Sequence, residues 1–336
     1  MNLLQKFAAT GVALGIAFGA VSASFAAEKL VVTLDTPPTH LRTRMMNDFA
    51  KRLSDRSNGE LTFEIFDSNQ LYSSRDALKA VARGDAGMSI LVTPYLSRVV
   101  ADYNVFDLPM LNGMTDEERA AMLDSGLGEA LASQLEKTMD IVVPGKFWSM
   151  GKVFLYSTAK PMNNFADLKG MQIRIPGGAA LVMRLDAIGA AAVSMPGSDV
   201  PLALQQGVVD ATMGGPDYML GNKLWDAGVQ HGFWDGGIIG YLTAIVNKGY
   251  WDSLTEEQQS LFRKTWDEIT LEQRQAVLDE EAANVAALAE HGIVTVNASE
   301  DDIAKANQSM LAIQDAMIKE LAISTAIVQM AAESVK

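Results

Sequence analysis

Arg174 is the residue best placed by type and position to do chemistry. It stands near the carboxyl end of the short run Met171–Ile175, directly before Pro176-Gly177-Gly178. A guanidinium carries a fixed charge and a planar fork that matches a carboxylate. In open α/β sheets ligands bind beyond the carboxyl ends of the strands. An arginine at such a point can therefore hold an organic acid, although a lone arginine there also serves as a solvated or structural residue. A second strand signal, Val208–Met213, ends in Gly214-Gly215-Pro216 and is followed by Asp217. Glycines there and at Gly177 let the backbone approach a ligand closely. Asp35 ends the first strand of the chain. It reads either as a turn former before Pro37 or as a partner for a ligand amine or hydroxyl.

No catalytic constellation accompanies these residues. His40, His231 and His291 lie far apart, without metal-ligand spacing, and the chain has no cysteine. It has no Gly-x-Ser-x-Gly motif, and Glu256-Glu257 and Glu280-Glu281 read as helix-face charges. The expectation is a binding protein, not an enzyme, with no cofactor and no metal. An exported hydrolase is the weakest of the readings.

The hydrophobic pattern supplies the scaffold. Leu30–Leu34 is a continuous apolar run, as suits a buried parallel strand. Leu41, Met45, Phe49 and Leu53 recur every fourth residue and predict a helix over His40–Ser54. Leu61–Phe66 and Gly87–Val92 read as strands around a helix at Ser74–Ala82, which completes a β-α-β-α-β unit. Thr115–Gln134 reads as a helix opened by a Thr115/Glu118 capping box. Ile141–Phe147 and Lys152–Ser157 read as strands separated by Trp148-Ser149-Met150-Gly151. Gly207 closes a helix over Ser198–Gln206, where a positive φ is easy for glycine. Tyr218–Ala227 reads as helical and Gly236–Val246 as a strand or crossover. Thr255 and Gln258 form a second capping box, opening a helix that runs to His291-Gly292. At ~1.5 Å per residue it would reach ~50 Å, enough to cross two domains. Ile293–Val296 reads as a strand and Ser299–Val335 as mainly helical. The alternation of strands and helices makes the fold class α/β.

The chain begins with a basic Lys6, an uncharged run Ala8–Ser22 and Ser24-Phe25-Ala26. That is the pattern of a secretory signal peptide over residues 1–26, too short to span a membrane. Its removal takes away Lys6 alone and moves the formal charge from −14 to −15. An acidic mature chain argues against nucleic acid and anionic membrane surfaces as partners.

Over essentially the whole mature length the sequence resembles the extracytoplasmic solute receptors of TRAP transporters, the DctP-type family. The resemblance runs through Gln70-Leu71, Arg83-Gly84-Asp85, Phe106-Asp107-Leu108-Pro109, Asp167–Pro176, Ala203–Asp210 and Trp251–Thr255. Each motif is weak alone, and their order and spacing are specific. The resemblance implies a two-domain periplasmic-binding-protein-like fold with a central cleft and a long hinge-spanning helix. The division expected is 27–149 with 241–280, and 150–240 with 281–336, with hinges near Trp148–Lys152 and Gly236–Gly240. It implies a periplasmic monomer that encloses a small organic acid and presents it to sodium-coupled membrane permease subunits. A periplasmic sensor that presents its closed form to a signalling protein is the alternative.

Arg174 matches the family arginine that usually pairs with the ligand carboxylate. Tyr72, Tyr95 and Trp148 fall near the cleft by the same matching, each as wall or as core. Many members carry a further arginine where this chain has Val153. A monocarboxylate or a small hydroxy- or amino-substituted acid fits one arginine. A dicarboxylate requires Lys152, Arg42 or Arg184 to reach the cleft, and Arg184 reads as a helix-face residue beside the stripe of Leu181, Leu185 and Ile188. Thr212–Tyr218 also departs from the subgroup pattern associated with a metal-bound keto acid.

Overall fold

The computed structural model describes residues 29–334. The expected leader, residues 1–26, lies outside the described residues. Twelve strands are described: β1 (Leu30–Thr33), β2 (Phe63–Phe66), β3 (Met88–Val92), β4 (Ile141–Val142), β5 (Trp148–Lys152), β6 (Phe154–Ser157), β7 (Gln172–Ile175), β8 (Ala191–Ser194), β9 (Ala211–Gly214), β10 (His231–Trp234), β11 (Ile239–Asn247) and β12 (Val294–Asn297). They form two six-stranded sheets. The first has the order β2-β1-β3-β11-β4, with β5 also pairing β11, and the second the order β12-β10-β6-β9-β7-β8. β1 runs parallel to β2 and β3, while β11 runs antiparallel to β3, β4 and β5. In the second sheet β7 is parallel to β8 and β9.

The chain crosses between sheets where β5 passes into β6 and where β10 passes into β11. The crossovers lie side by side: Ile239 pairs with Lys152, and Val153 N–H donates to Ile238 O. Gly151 sits at φ +68°, a backbone conformation that side chains disfavour, beside a register shift in β11. The helix Glu256–Glu290 spans both units. Its 35 residues reach about 52 Å at about 1.5 Å per residue. Phe262, Trp266 and Ile269 pack on the first sheet, and Leu288 packs in the core of the second. The Thr255/Gln258 capping box satisfies amides that the first turn would leave without partners.

Several expectations need correction. β4 is only two residues long: the Val143 N–H donates to Glu136 Oε1, and Pro144 has no N–H to donate. The expected break at Trp148–Gly151 is instead strand β5, held by β11 and by Ser149 N–H donating to the Gln273 amide oxygen. The helix expected over Thr115–Gln134 keeps its capping box but is broken at Gly126, φ +120°, and runs on to Thr138. The helix before Gly207 spans Val200–Gln205, and β9 begins at Ala211. Tyr218–Ala227 divides into a helix, Pro216–Gly221, and a 3-10 turn, Leu224–Ala227. β8 and β10 were not expected at all.

The C-terminal segment also departs from the expected division. Met317, Ile323, Ile327 and Ala331 are buried in the core of the first unit, not the second. Ser324 N–H and Oγ both donate to the Asp102 carboxylate, at 2.6 and 2.7 Å. Apolar spacing showed that this segment was helical but not which surface it would cover.

Candidate functional site

The carboxyl ends of strands from both sheets converge on one cavity between the units. Asp35 follows β1 and Thr93–Tyr95 follow β3. Arg174 lies near the end of β7, with Pro176 just beyond it. Gly197 follows β8, and Gly214, Asp217 and Tyr218 stand at or beyond the end of β9. The cavity has a volume of about 100 Å³. The units meet around it: His40 Nε2 lies 3.2 Å from Asp217 Oδ2, Arg98 donates to Ser194 Oγ at 3.1 Å, and Ala180 N–H donates to Asn104 Oδ1 at 3.4 Å.

Arg174 is 5 % exposed and pairs in register with Val193 and Thr212. Its neighbours Ile173 and Ile175 alternate into the core. Nε and Nη2 donate to Met195 O at 3.1 and 2.9 Å, which fixes the plane of the guanidinium. The Nη1/Nη2 edge makes no ion pair among the described residues. Tyr95 and Tyr218 lie within the field of this charge. Burial raises the Tyr95 hydroxyl above its ordinary range and pushes that of Tyr218 up to about 12, so both stay protonated donors at neutral pH. Tyr218 donates to Gly197 O at 3.0 Å.

Of the other lining charges, Asp35 and Arg42 answer each other. Arg42 Nη1 donates to Asp35 Oδ1 at 2.6 Å, and Ser74 Oγ donates to Asp35 Oδ2. His40 caps the helix Leu41–Arg56, its Nδ1 accepting from Arg42 N–H. Burial lowers its pKa, so it is neutral at pH 7 despite facing Asp217. Asp107 is pushed up to about 6 by burial, against the opposing pull of Arg184 and Arg119.

The folded-state pKa of Asp107 is thus raised, and its contribution to stability falls as pH rises through about 6. Asp107→Asn removes that loss. It is expected to stabilise the chain at pH 7.5 by up to about 3 kcal/mol, since each tenfold difference in proton affinity between folded and unfolded chain is worth about 1.4 kcal/mol. The gain should shrink steadily between pH 6 and pH 4 in denaturant melts. No gain, or one independent of pH, would contradict this assignment.

Arg174, Asp35, Tyr95, Gly214 and Asp217 line the cavity together. Four other candidates do not, and they correct the sequence reading. Trp148 is fully buried, stacked on Trp266 at 4.9 Å with its Nε1 donating to Thr270. Tyr72 packs against the core of the first unit. Gly177 sets its loop against the Arg98 guanidinium, and Gly215 is the N-cap before Pro216. Of the possible second cations, Arg42 reaches the cavity already paired. Lys152 instead pairs with Glu281 at 2.6 Å. Arg184 is buried, not a surface helix residue, and donates to Asp107 O and Asn112 Oδ1. His40, Asp107 and Tyr218 were missed as lining residues. Tyr218 could have been found, since it lies in the first turn of the helix beyond β9.

Two α/β units joined by paired crossover strands and a shared helix, with an arginine in the wall of the cavity between them, define a two-lobed solute receptor. The chain belongs to family 7 of the bacterial extracellular solute-binding proteins, DctP, whose family model matches residues 34–321. It is accordingly a solute-binding protein and not an enzyme. A C4-dicarboxylate-binding periplasmic protein DctP from Rhodobacter capsulatus is 30% identical over 245 residues, 71% of this chain and 70% of that protein. The fold matches a TRAP periplasmic solute binding protein from Sulfurospirillum deleyianum with bound succinate, at TM-score 0.84 and 23% identity, covering 93% of this chain and 100% of that one. It also matches a sugar acid binding protein from Advenella mimigardefordensis in complex with galactonate, at TM-score 0.86 and 16% identity, covering 92% and 97%. Among the described residues no helix is long and apolar enough to cross a membrane, and no cluster of three or more acidic, histidine or cysteine side chains could hold a metal ion.

Proposed function

We propose that this chain is the periplasmic receptor of a TRAP transporter, which captures a small organic acid between its two units and delivers it to membrane permease subunits. The observation that carries this reading is Arg174, without an ion pair among the described residues, in the wall of a cavity lined by both units. The acid's carboxylate lies on its Nη1/Nη2 edge, with the Tyr95 hydroxyl as a further donor. The crossovers at Val153 and Asp235–Ile238 are the hinges, since element-terminal residues absorb such motion. Family membership and relatives with bound acids support the ligand class.

A thermal-shift screen of the mature chain against organic acids tests the reading. A ligand that binds only the folded state raises its melting temperature by mass action. The best acid is also expected to shrink the solution envelope in small-angle scattering. An unchanged envelope at saturating ligand would contradict domain closure.

A further inference from the structure

We propose that the acid is a short monocarboxylate with a hydrocarbon body, and not a dicarboxylate or a sugar acid. This rests on the receptor reading above and names the ligand within it. The charged side chains lining the cavity besides Arg174 are Asp35, Arg42, Asp107 and Asp217. Asp35 is bound to Arg42. Asp107 lies in the field of Arg184 and Arg119. Asp217 faces His40. Of the two arginines that line the cavity, Arg174 is the one with no acidic partner among the described residues. One free cation answers one carboxylate. A second carboxylate would be desolvated close to three aspartates with no cation to meet it. Recruiting Arg42 would strand Asp35 instead.

The wall argues the same way. Val92, Val153, Leu181, Met213, Ile238 and Ile239 line the cavity from both units and offer side chains with neither donor nor acceptor. Three polar lining groups are committed elsewhere, which leaves the Tyr95 hydroxyl for the carboxylate and the Tyr241 hydroxyl without a partner among the described residues. Ser149 Oγ donates to Asp116, the Gln273 amide closes on the Ser149 backbone, and Tyr218 is bonded to Gly197 O. A sugar acid brings a hydroxyl on nearly every carbon, and each one buried without a partner weakens binding. Size sets the upper limit. An apolar cavity of about 150 Å³ holds benzene, so about 100 Å³ suits a body of a few carbons.

Calorimetric titration of the mature chain with butanoate, 3-methylbutanoate, succinate and galacturonate tests this. Succinate is butanoate with its methyl group replaced by a second carboxylate. Butanoate is expected to bind at least about 100-fold more tightly than succinate, and 3-methylbutanoate more tightly still. Val153→Thr keeps the side-chain shape and adds a hydroxyl. It should weaken 3-methylbutanoate about tenfold, with the melting temperature of the free protein nearly unchanged. Succinate or galacturonate binding as tightly as butanoate would overturn the inference and leave the receptor reading standing. No binding by any acid in this panel or the wider screen would remove the receptor reading, and the inference with it.

Discussion

Arg174→Ala is expected to weaken acid binding by about 30- to 4,000-fold while the chain still folds. The guanidinium is held in plane by Met195 O and lines the cavity. At a buried arginine a forked, charge-assisted pair is stronger than a pair on the surface. Truncating one partner leaves the ligand carboxylate desolvated and unmatched, a loss of roughly 2–5 kcal/mol, or about 30- to 4,000-fold at ~1.4 kcal/mol per decade. Arg174→Lys should also bind weakly, because a point charge cannot reproduce the planar fork. Stability should change little, since the residue packs no core cluster and loses only its bonds to one carbonyl. Calorimetric titration of the folded variant is the check. Affinity within about threefold of the parent would mean that another residue holds the carboxylate.

Trp148→Ala is expected to have the opposite profile, a large loss of stability with little change in affinity. The indole is fully buried, stacks on Trp266 with the planes 5° apart, and donates to Thr270 Oγ1 at 3.1 Å. Phe49 meets Trp266 edge-on at 5.1 Å, so the cluster joins the helix Leu41–Arg56 to the long helix across the first sheet. Emptying such a site costs about 3–5 kcal/mol, from lost transfer energy and from the cavity left behind. Denaturant melts measure the loss. Ligand titration at low temperature, where the variant remains folded, should give an affinity close to the parent's. A stable variant with weakened binding would return Trp148 to the cavity wall.

The contrast between these residues shows what was legible in the sequence. Arg174 could be read as a candidate because it stands near a strand's carboxyl end before Pro176 and two glycines; position alone left a structural role open, and the family resemblance favoured the ligand role, which agrees with its place in the cavity wall. Trp148 could not, because a tryptophan beside a crossover serves as wall or as core equally well, and only the pairing of β5 with β11 decides. The long helix and its capping box were legible because both signals are local. β8 and β10 were not. Ala191–Ser194 is a short edge strand of small residues, and Gly232 interrupts His231–Trp234 where Tyr156 and Thr295 pack against it. The pairing of Arg42 with Asp35, which leaves Arg174 as the free cation among the described lining residues, joins positions seven residues apart through the turn at Thr36–His40. Spacing alone gave no sign that one charge would answer the other.

The direct test of Arg174 as carboxylate anchor is a crystal structure of the mature chain with the tightest acid from the titration panel. The expected result is a carboxylate forked onto Nη1 and Nη2 of Arg174, with the Tyr95 hydroxyl donating to it and the hydrocarbon body against Val153 and Met213. A carboxylate seated on Arg42 with Asp35 displaced, or an acid bound outside the cavity with Arg174 still held only by Met195, would contradict it.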